Sequence, residues 1–123
     1  MARARLEGLG RALRAVERVP EAMREARAET LHEWAEDTRT TAEDLVPERT
    51  GALNNALDHE VDEEYGRAEV GVWRQEQLEY ALYVEKGTSS MRDQPYLVPA
   101  FEANRRQVPR TYRAAFWRHV RTE

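Results

Sequence analysis

Residues 20–45 carry the feature that most restricts the fold, a narrow apolar stripe with helical spacing. Pro20 suits the first turn of a helix and Pro47 ends the segment, so the pattern predicts one helix of about seven turns. The stripe consists of Leu31, Trp34, Ala35, Thr38, Ala42 and Leu45. The other positions are largely charged, so this helix buries one side and leaves the other to water or to a partner. The rest of the chain must therefore supply the surface that covers the stripe.

Two shorter segments further along the chain alternate apolar and polar residues, which is typical of half-buried strands. Their apolar positions are Leu53, Leu57 and Val61 in the first segment, which begins near Ala52, and Ala68, Val70 and Val72 in the second. An acid-rich turn over residues 62–66 separates the two segments, so we predict an antiparallel pair. Two strands alone are only marginally stable, and the long helix is therefore expected to pack on their apolar face.

The last third of the chain holds two further apolar patterns. Residues 77–86 predict a short helix that Gly87 ends in the left-handed conformation, and a polar loop follows. From Pro95 a second stripe keeps its phase to the end of the chain although Pro109 interrupts it, which predicts one kinked helix. The predicted fold class is α+β: a small antiparallel β-sheet packed by a long N-terminal helix and a kinked C-terminal helix.

The N-terminal residues form a separate amphipathic segment, in which apolar residues recur every three or four positions. Gly8 and Gly10 weaken this short helix, which predicts that it is mobile or becomes ordered only on assembly. We therefore divide the chain into an N-terminal segment, residues 1–19, and a single α+β domain, residues 20–123.

Charge is distributed along the chain in blocks. Residues 1–20 hold five Arg and two Glu, residues 21–64 hold four Arg and fourteen acids, and residues 103–123 hold six Arg and one Glu. Solvated helix faces explain such blocks, and so does pairing between copies in which a basic face meets an acidic one. In the second interpretation, Arg105 and Arg106 are candidate interface residues. The acidic middle of the chain opposes the binding of a polyanion.

The sequence contains no recognisable catalytic or metal-binding pattern. It has no cysteine, which excludes disulfides and thiolate metal sites. Its histidines, His32, His59 and His119, lie on separate predicted elements without a second ligand at metal spacing. Glu85 lies among apolar residues, and we expect its carboxylate to accept hydrogen bonds from the backbone amides of Gly87–Ser90. The chain is therefore expected not to be an enzyme and to use no cofactor, metal or small-molecule substrate.

Hydropathy predicts no membrane association. No apolar run approaches the length that a membrane-spanning helix needs. The basic start of the chain lacks the uninterrupted apolar region and the cleavage site of a signal peptide. We therefore expect a soluble intracellular product.

Two blocks of the sequence resemble a siphophage tail-completion family, whose members are described as minor tail or head–tail joining components. The longer block is YALYVEKGTSSMRDQPYLVPAFE, residues 80–102, and the shorter is VPERTGALNNAL, residues 46–57. Both occur in the family's order behind a long helix, although Ala56, Leu57 and Lys86 depart from its pattern. The matching positions that we take as structural or interface residues are Pro47, Thr50, Gly51, Leu53, Tyr80, Tyr83, Glu85, Gly87, Thr88, Pro95, Tyr96 and Pro99.

The resemblance implies a structural subunit of a homo-oligomeric ring, a hexamer, in the neck of a phage virion after assembly in the host cytoplasm. Its implied partners are further copies of itself and the adjoining neck, connector and tail proteins, with at most non-specific contact to DNA in the lumen. Two alternatives stay open. One is a tail-terminator ring subunit that caps the tail tube, and the other is a small module that binds nucleic acid through the terminal Arg residues without sequence preference.

Overall fold

The structure is a computed structural model that describes residues 2–47, 51–90 and 92–121. Within these ranges the chain forms helices and one pair of strands, and the α+β fold class predicted from the sequence is confirmed. The elements in chain order are α1 (Leu9–Glu17), α2 (Val19–Leu45), α3 (Gly51–Ala56), β1 (Leu57–Asp62), β2 (Arg67–Val72), α4 (Gln75–Lys86), α5 (Leu97–Arg105) and α6 (Val108–Arg121).

The long helix α2 organises the other elements. It is 27 residues long, with Pro20 in its first turn, so it extends for about 40 Å. Its buried positions are small residues: Ala22, Ala26, Thr30, Ala35, Thr38 and Ala42. Small side chains allow close approach, and α5, α6, β1 and β2 all pack against this helix. Leu45, which the sequence pattern placed on the buried face, is 42% exposed at the end of the helix.

The two strands form the antiparallel pair that the sequence predicted. Leu57 pairs with Val72 and Asp62 pairs with Arg67 at the two ends of the ladder. The predicted start of the first strand near Ala52 is wrong, because residues 51–56 form α3 and the strand begins at Leu57. Leu53, Ala56 and Leu57 are all buried, and this spacing of three and four residues fits a helical turn that leads into the strand.

The hairpin turn is tied to α2. Gly66 has a φ of 68°, which suits glycine, and the Asp62 carboxylate accepts a hydrogen bond from the Tyr65 amide at 3.1 Å. Arg27 of α2 donates to the Glu63 carbonyl at 2.7 Å. A Cβ added at Gly66 would lie only 3.1 Å from the Arg27 side chain, so glycine here also makes room for this contact.

The C-terminal segment bends at the position predicted from Pro109, and the helix is interrupted there. The helix stops at Arg105 and resumes at Val108, so a turn at residues 106–107 separates α5 from α6. Pro109 lacks an N–H and cannot bond to the Arg105 carbonyl, which explains the interruption. Both helices pack on α2, and Asn104 links α5 to it by donating to the Thr41 hydroxyl at 3.1 Å.

The N-terminal helix is shorter than its apolar pattern indicated. It begins at Leu9, after Gly8 with a φ of 87°, and ends one residue before α2. No residue of α1 is buried. Glycines at positions 8 and 10 cost helix stability, which accounts for the late start.

The main core lies at the C-terminal end of α2. Its largest fully buried side chains are Leu53, Leu57 and Tyr96. Its buried members are Ala42, Val46, Leu53, Leu57, Ala81, Val84, Tyr96 and Ala100. This core joins α2 to the hairpin, to α4 and to the start of α5, and so it positions the residues of the longer sequence block.

Acid is expected to weaken the contact between α2 and α6. Arg118 donates to Glu29 at 2.7 Å, and this hydrogen bond lowers the pKa of Glu29 below its usual value of 4.5. Because the folded-state pKa is the lower one, the pair contributes stability above pH 4.5 and loses it as the pH falls further. In denaturant unfolding, Glu29→Gln should be less stable than the native chain near neutral pH, and this difference should shrink below pH 4.5. Glu36→Gln, an exposed acid on the same helix, is the control, and an unchanged Glu29→Gln difference at acid pH would contradict the prediction.

Candidate functional site

The junction between α4 and α5 gathers most residues of the longer sequence block. α4 starts at Gln75, two residues earlier than predicted, and ends at Lys86 as predicted. The Gly87 amide donates to the Tyr83 carbonyl at 2.7 Å. Gly87 has a φ of 80° and a ψ of 172°, so the predicted left-handed helical conformation is wrong and the residue adopts an extended, positive-φ conformation instead. That region is essentially restricted to glycine, and it directs the chain away from α4 into the loop.

Glu85 caps the N-terminus of α5. Its carboxylate accepts hydrogen bonds from the amides of Tyr96 at 2.7 Å, Leu97 at 3.0 Å and Val98 at 3.0 Å. The predicted donors to Glu85, the amides of Gly87–Ser90, are wrong. The chain turns at Gly87 and brings the start of α5 to the carboxylate. The first amides of a helix have no partner within it, and a negative charge there is favourable. Tyr96, at the N-cap position, makes no side-chain capping hydrogen bond, so Glu85, eleven residues earlier in the chain, caps α5 instead.

Tyr96 fills the space between the two helices. It is fully buried, and its hydroxyl donates to the Ala81 carbonyl at 3.2 Å. Burial and the nearby Glu85 carboxylate raise the pKa of Tyr96 to about 12. The ring therefore stays neutral over the ordinary pH range and serves as a packed, hydrogen-bonded spacer.

The loop between the helices is held at both ends. The Gln94 amide donates to the Val84 carbonyl at 2.8 Å, and the Ser90 amide donates to the Thr88 hydroxyl at 3.3 Å. Pro95 immediately precedes the capped turn, and Pro99 is the third residue of α5. Proline at the start of a helix removes only amides that need no helical partner and restricts the unfolded chain. The junction is consequently a stiff corner.

An open apolar groove lies beside this corner. It has a volume of about 500 Å³. Leu78, Leu82 and Val98 on its walls are 43%, 50% and 61% exposed. The residues that define the groove are Val72, Leu78, Ala81, Leu82, Glu85, Lys86, Tyr96, Leu97 and Val98. Clustered apolar side chains rimmed by charge are typical of a protein–protein contact.

The remaining predicted site residues occupy varied places. Leu53 is fully buried in the core that contains Tyr96, so the two sequence blocks meet there. Gly51 is the exposed first residue of α3, and Pro47 is half-buried after α2, whereas Thr50 and Met91 lie outside the described residues.

The tyrosines and arginines among these residues are more accessible. Tyr80 and Tyr83 are more than a third exposed on α4, and a hydrogen bond to Glu79 raises the pKa of Tyr83. Arg105 forms an ion pair with Glu102 at 3.3 Å, and Arg106 lies in the exposed turn after α5. The structure therefore places both arginines at the surface but outside the groove.

The histidines remain on separate elements, as the sequence indicated. His32 contacts Glu63 at 3.0 Å, His119 contacts Glu25 at 2.8 Å, and His59 lies 3.4 Å from Arg39. Among the described residues, no group of three or more His, Asp or Glu side chains is arranged to hold a metal ion. In the same ranges, no helix has the length and hydropathy needed to cross a membrane.

Compared with known proteins, the chain matches no family model, no curated protein and no solved structure.

The groove itself was not anticipated from the sequence. Residues 77–86 predict a helix, but the spacing of Leu78 and Leu82 does not indicate that this side of the helix faces outward. One feature of the sequence does point to the groove: α4 has more apolar residues than one buried face needs. Ala81 and Val84 are buried, whereas Leu78, Leu82 and Tyr83 are exposed.

Removing the Glu85 cap should destabilise the fold. In Glu85→Ala, three amides at the start of α5 lose their acceptor, and we expect a loss of about 2 kcal/mol in the free energy of unfolding. Chemical denaturation followed by circular dichroism measures this loss. Glu76→Ala removes an exposed acid from the same helix and should cost much less. Equal losses for the two variants would contradict the capping role.

The two glycines of the sequence blocks should respond differently to alanine. Gly87 lies in a conformation restricted to glycine, so Gly87→Ala should cost about 1–3 kcal/mol of folding free energy. Gly51 begins a helix, and a Cβ there meets no described atom within 4 Å. Gly51→Ala should therefore be neutral or stabilising by up to about 1 kcal/mol. Thermal and denaturant unfolding of both variants measure the contrast, and a stable Gly87→Ala protein would refute this account of the corner.

Proposed function

We propose that this protein is a structural subunit of a phage neck or tail-top ring, which completes the tail and joins it to the head connector. The observation that carries the proposal is the corner between α4 and α5, where the residues that resemble the tail-completion family fix a rigid shape beside an exposed apolar groove. Glu85, Gly87 and Tyr96 all have structural roles there. A rigid corner with an apolar surface suits a subunit that repeats one contact around a ring.

The chemistry of the corner supports a structural role over catalysis. All three hydrogen bonds of the Glu85 carboxylate come from backbone amides of one helix, which leaves it positioned as a cap. Its neighbour Tyr96 is buried and bonded to a backbone carbonyl. A general acid or base needs a functional atom that can reach the reacting group, whereas the Glu85 oxygens and the Tyr96 hydroxyl are bonded to backbone partners.

Complementary charged faces support self-assembly. The outward side of the hairpin carries Asp58, Glu60 and Glu69, with Glu60 directly opposite Glu69 in the ladder. Arg67 pairs with Glu69 and Arg39 pairs with Asp58, each at 3.4 Å, so part of this charge is balanced within the copy. A basic partner would relieve the repulsion that remains between Glu60 and Glu69. The exposed basic positions of α6 and the turn before it are Arg106, Arg110, Arg113, Arg118 and Arg121, of which Arg118 pairs with Glu29 of α2. Contact between two such different faces of neighbouring copies is heterologous and can close into a ring.

One observation favours a second candidate function, weak contact with DNA. Arg110, Arg113, Trp117 and Arg121 recur at helical spacing on exposed positions of α6, and Arg121 lies 6.0 Å from the centre of the Trp117 ring. Arginines that contact phosphates and an exposed aromatic ring suit a nucleic-acid backbone. In a neck, such a face would contact passing DNA without sequence preference.

Particles assembled without this protein test the proposed function. Electron microscopy should show full heads and finished tails that fail to join, and expression of the native chain in trans should restore joined particles. Tails of abnormal length would instead identify the alternative, a tail-terminator subunit that caps the tube. Normal infectious particles would overturn both assignments.

A further inference from the structure

The apolar stripe of the N-terminal segment is exposed and is not covered by any other part of the chain that the structure describes. Leu9, Leu13 and Val16 of α1 are each more than half exposed, and Leu6 just before the helix is 78% exposed. None of the nine residues of α1 is buried. Isolated helices of this length are marginal in water, and most helical stability comes from packing an apolar face. The stripe therefore calls for a complementary surface.

The same chain carries such a surface in the groove between α4, β2 and the start of α5. Leu78 and Leu82 lie one turn apart on one wall, and Leu97 and Val98 form the opposite side. Amphipathic helices commonly dock in apolar grooves through side chains spaced by three, four and seven residues. Leu6, Leu9, Leu13 and Val16 have this spacing.

The groove and the stripe of one copy lie at opposite ends of α2. α1 precedes Val19, with only Arg18 between the two helices. The groove residues Ala81 and Tyr96 belong to the core that contains Ala42 and Val46. At 1.5 Å per residue, the helix from Val19 to Ala42 separates them by about 35 Å. A nine-residue helix attached at Val19 does not span that distance, so the stripe can reach only the groove of another copy.

We propose that α1 of one copy docks its apolar stripe in the groove of a second copy. Charge favours this occupant, because residues 2–18 hold five Arg and two Glu, whereas the helix that forms one wall of the groove carries the exposed acids Glu76 and Glu79. Each copy then offers α1 at one end and a groove at the other, which makes the contact head-to-tail. The inference rests on the self-assembly in the proposed function and adds to its charged faces an apolar contact, which supplies most of the association free energy.

Two variants, each with one damaged surface, test the contact. The stripe variant is Leu9→Gln with Leu13→Gln, and the groove variant is Leu78→Gln with Leu82→Gln. Gln forms helices about as well as Leu and leaves the net charge unchanged. The control is Leu45→Gln with Tyr65→Gln, which changes two exposed apolar side chains outside both surfaces. Circular dichroism verifies that each variant is folded.

The expected result is a specific pattern of masses in analytical ultracentrifugation. The native chain and the control should form oligomers larger than a dimer, and each damaged variant alone should be monomeric, with self-association weakened on the order of a hundredfold. Mixing the two damaged variants should give a heterodimer, because the stripe variant keeps an intact groove and the groove variant keeps an intact α1. The heterodimer stops growing, since both of its free ends are damaged.

Several outcomes would overturn the inference. These are a monomeric native chain, unchanged oligomers for either damaged variant, or a mixture of folded variants that stays monomeric. Vesicles of phosphatidylcholine and phosphatidylserine test the other occupant: binding that requires Leu9 and Leu13, without heterodimer formation, would assign the stripe to a lipid surface and refute the inference.

The particle assay separates this inference from the proposed function. If the stripe variant is monomeric in solution and also fails to restore joined particles, both stand. If it restores joined particles fully, the docking of α1 is refuted while the neck role is retained. Normal particles in the complete absence of the protein would refute the neck role, whatever the mixing experiment gives.

Discussion

The arrangement of the C-terminal half depends on one interaction: the Glu85 carboxylate accepts hydrogen bonds from three backbone amides. A helix that starts directly after a loop leaves its first amides without partners, and here a side chain from the preceding helix supplies them. This bond fixes the angle between α4 and α5 and holds Tyr96 in the core. From α5 the chain runs back along α2, so the placement of α6 follows from the same corner. The apolar groove exists because the corner holds Val98 across from Leu78 and Leu82.

Much of the fold could be predicted from the sequence, because its elements follow local patterns. The spacing along α2 and the alternation in β2 act through nearby residues and led to the correct elements. Pro109 marked the position of the bend, although the helix is interrupted there and not only kinked. Leu53 and Leu57 led to a wrong start for the first strand, because residues four positions apart can lie on one face of a strand or of a helix. In the structure, Leu53 belongs to α3 and Leu57 is the first residue of β1. The partners of Glu85 could not be predicted, since they lie eleven to thirteen residues away and depend on the direction of the chain after Gly87.

The structure brings some of the predicted site residues together, whereas Gly51, Arg105 and Arg106 lie apart at the surface. The two sequence blocks pointed to Leu53, Glu85, Gly87 and Tyr96, and the structure unites them around one core and one corner. Exposure was the missing information. A leucine at helical spacing predicts burial, whichever side of the helix it lies on. The exposure of Leu78 and Leu82 on α4, and of the apolar stripe of α1, therefore follows only from the positions of the neighbouring elements.

The joint between α1 and α2 has a geometric consequence for any assembly. Arg18 alone separates the two helices, with a φ of −81° and a ψ of −13°. In the head-to-tail contact that we propose, α1 moves with one neighbour while α2 belongs to the body of its own copy. The two dihedral angles of Arg18 would then set the rotation from each copy to the next. Together with the orientation of α1 in the groove, that rotation determines how many copies close the ring, so a change in the backbone at Arg18 would change the symmetry of the assembly.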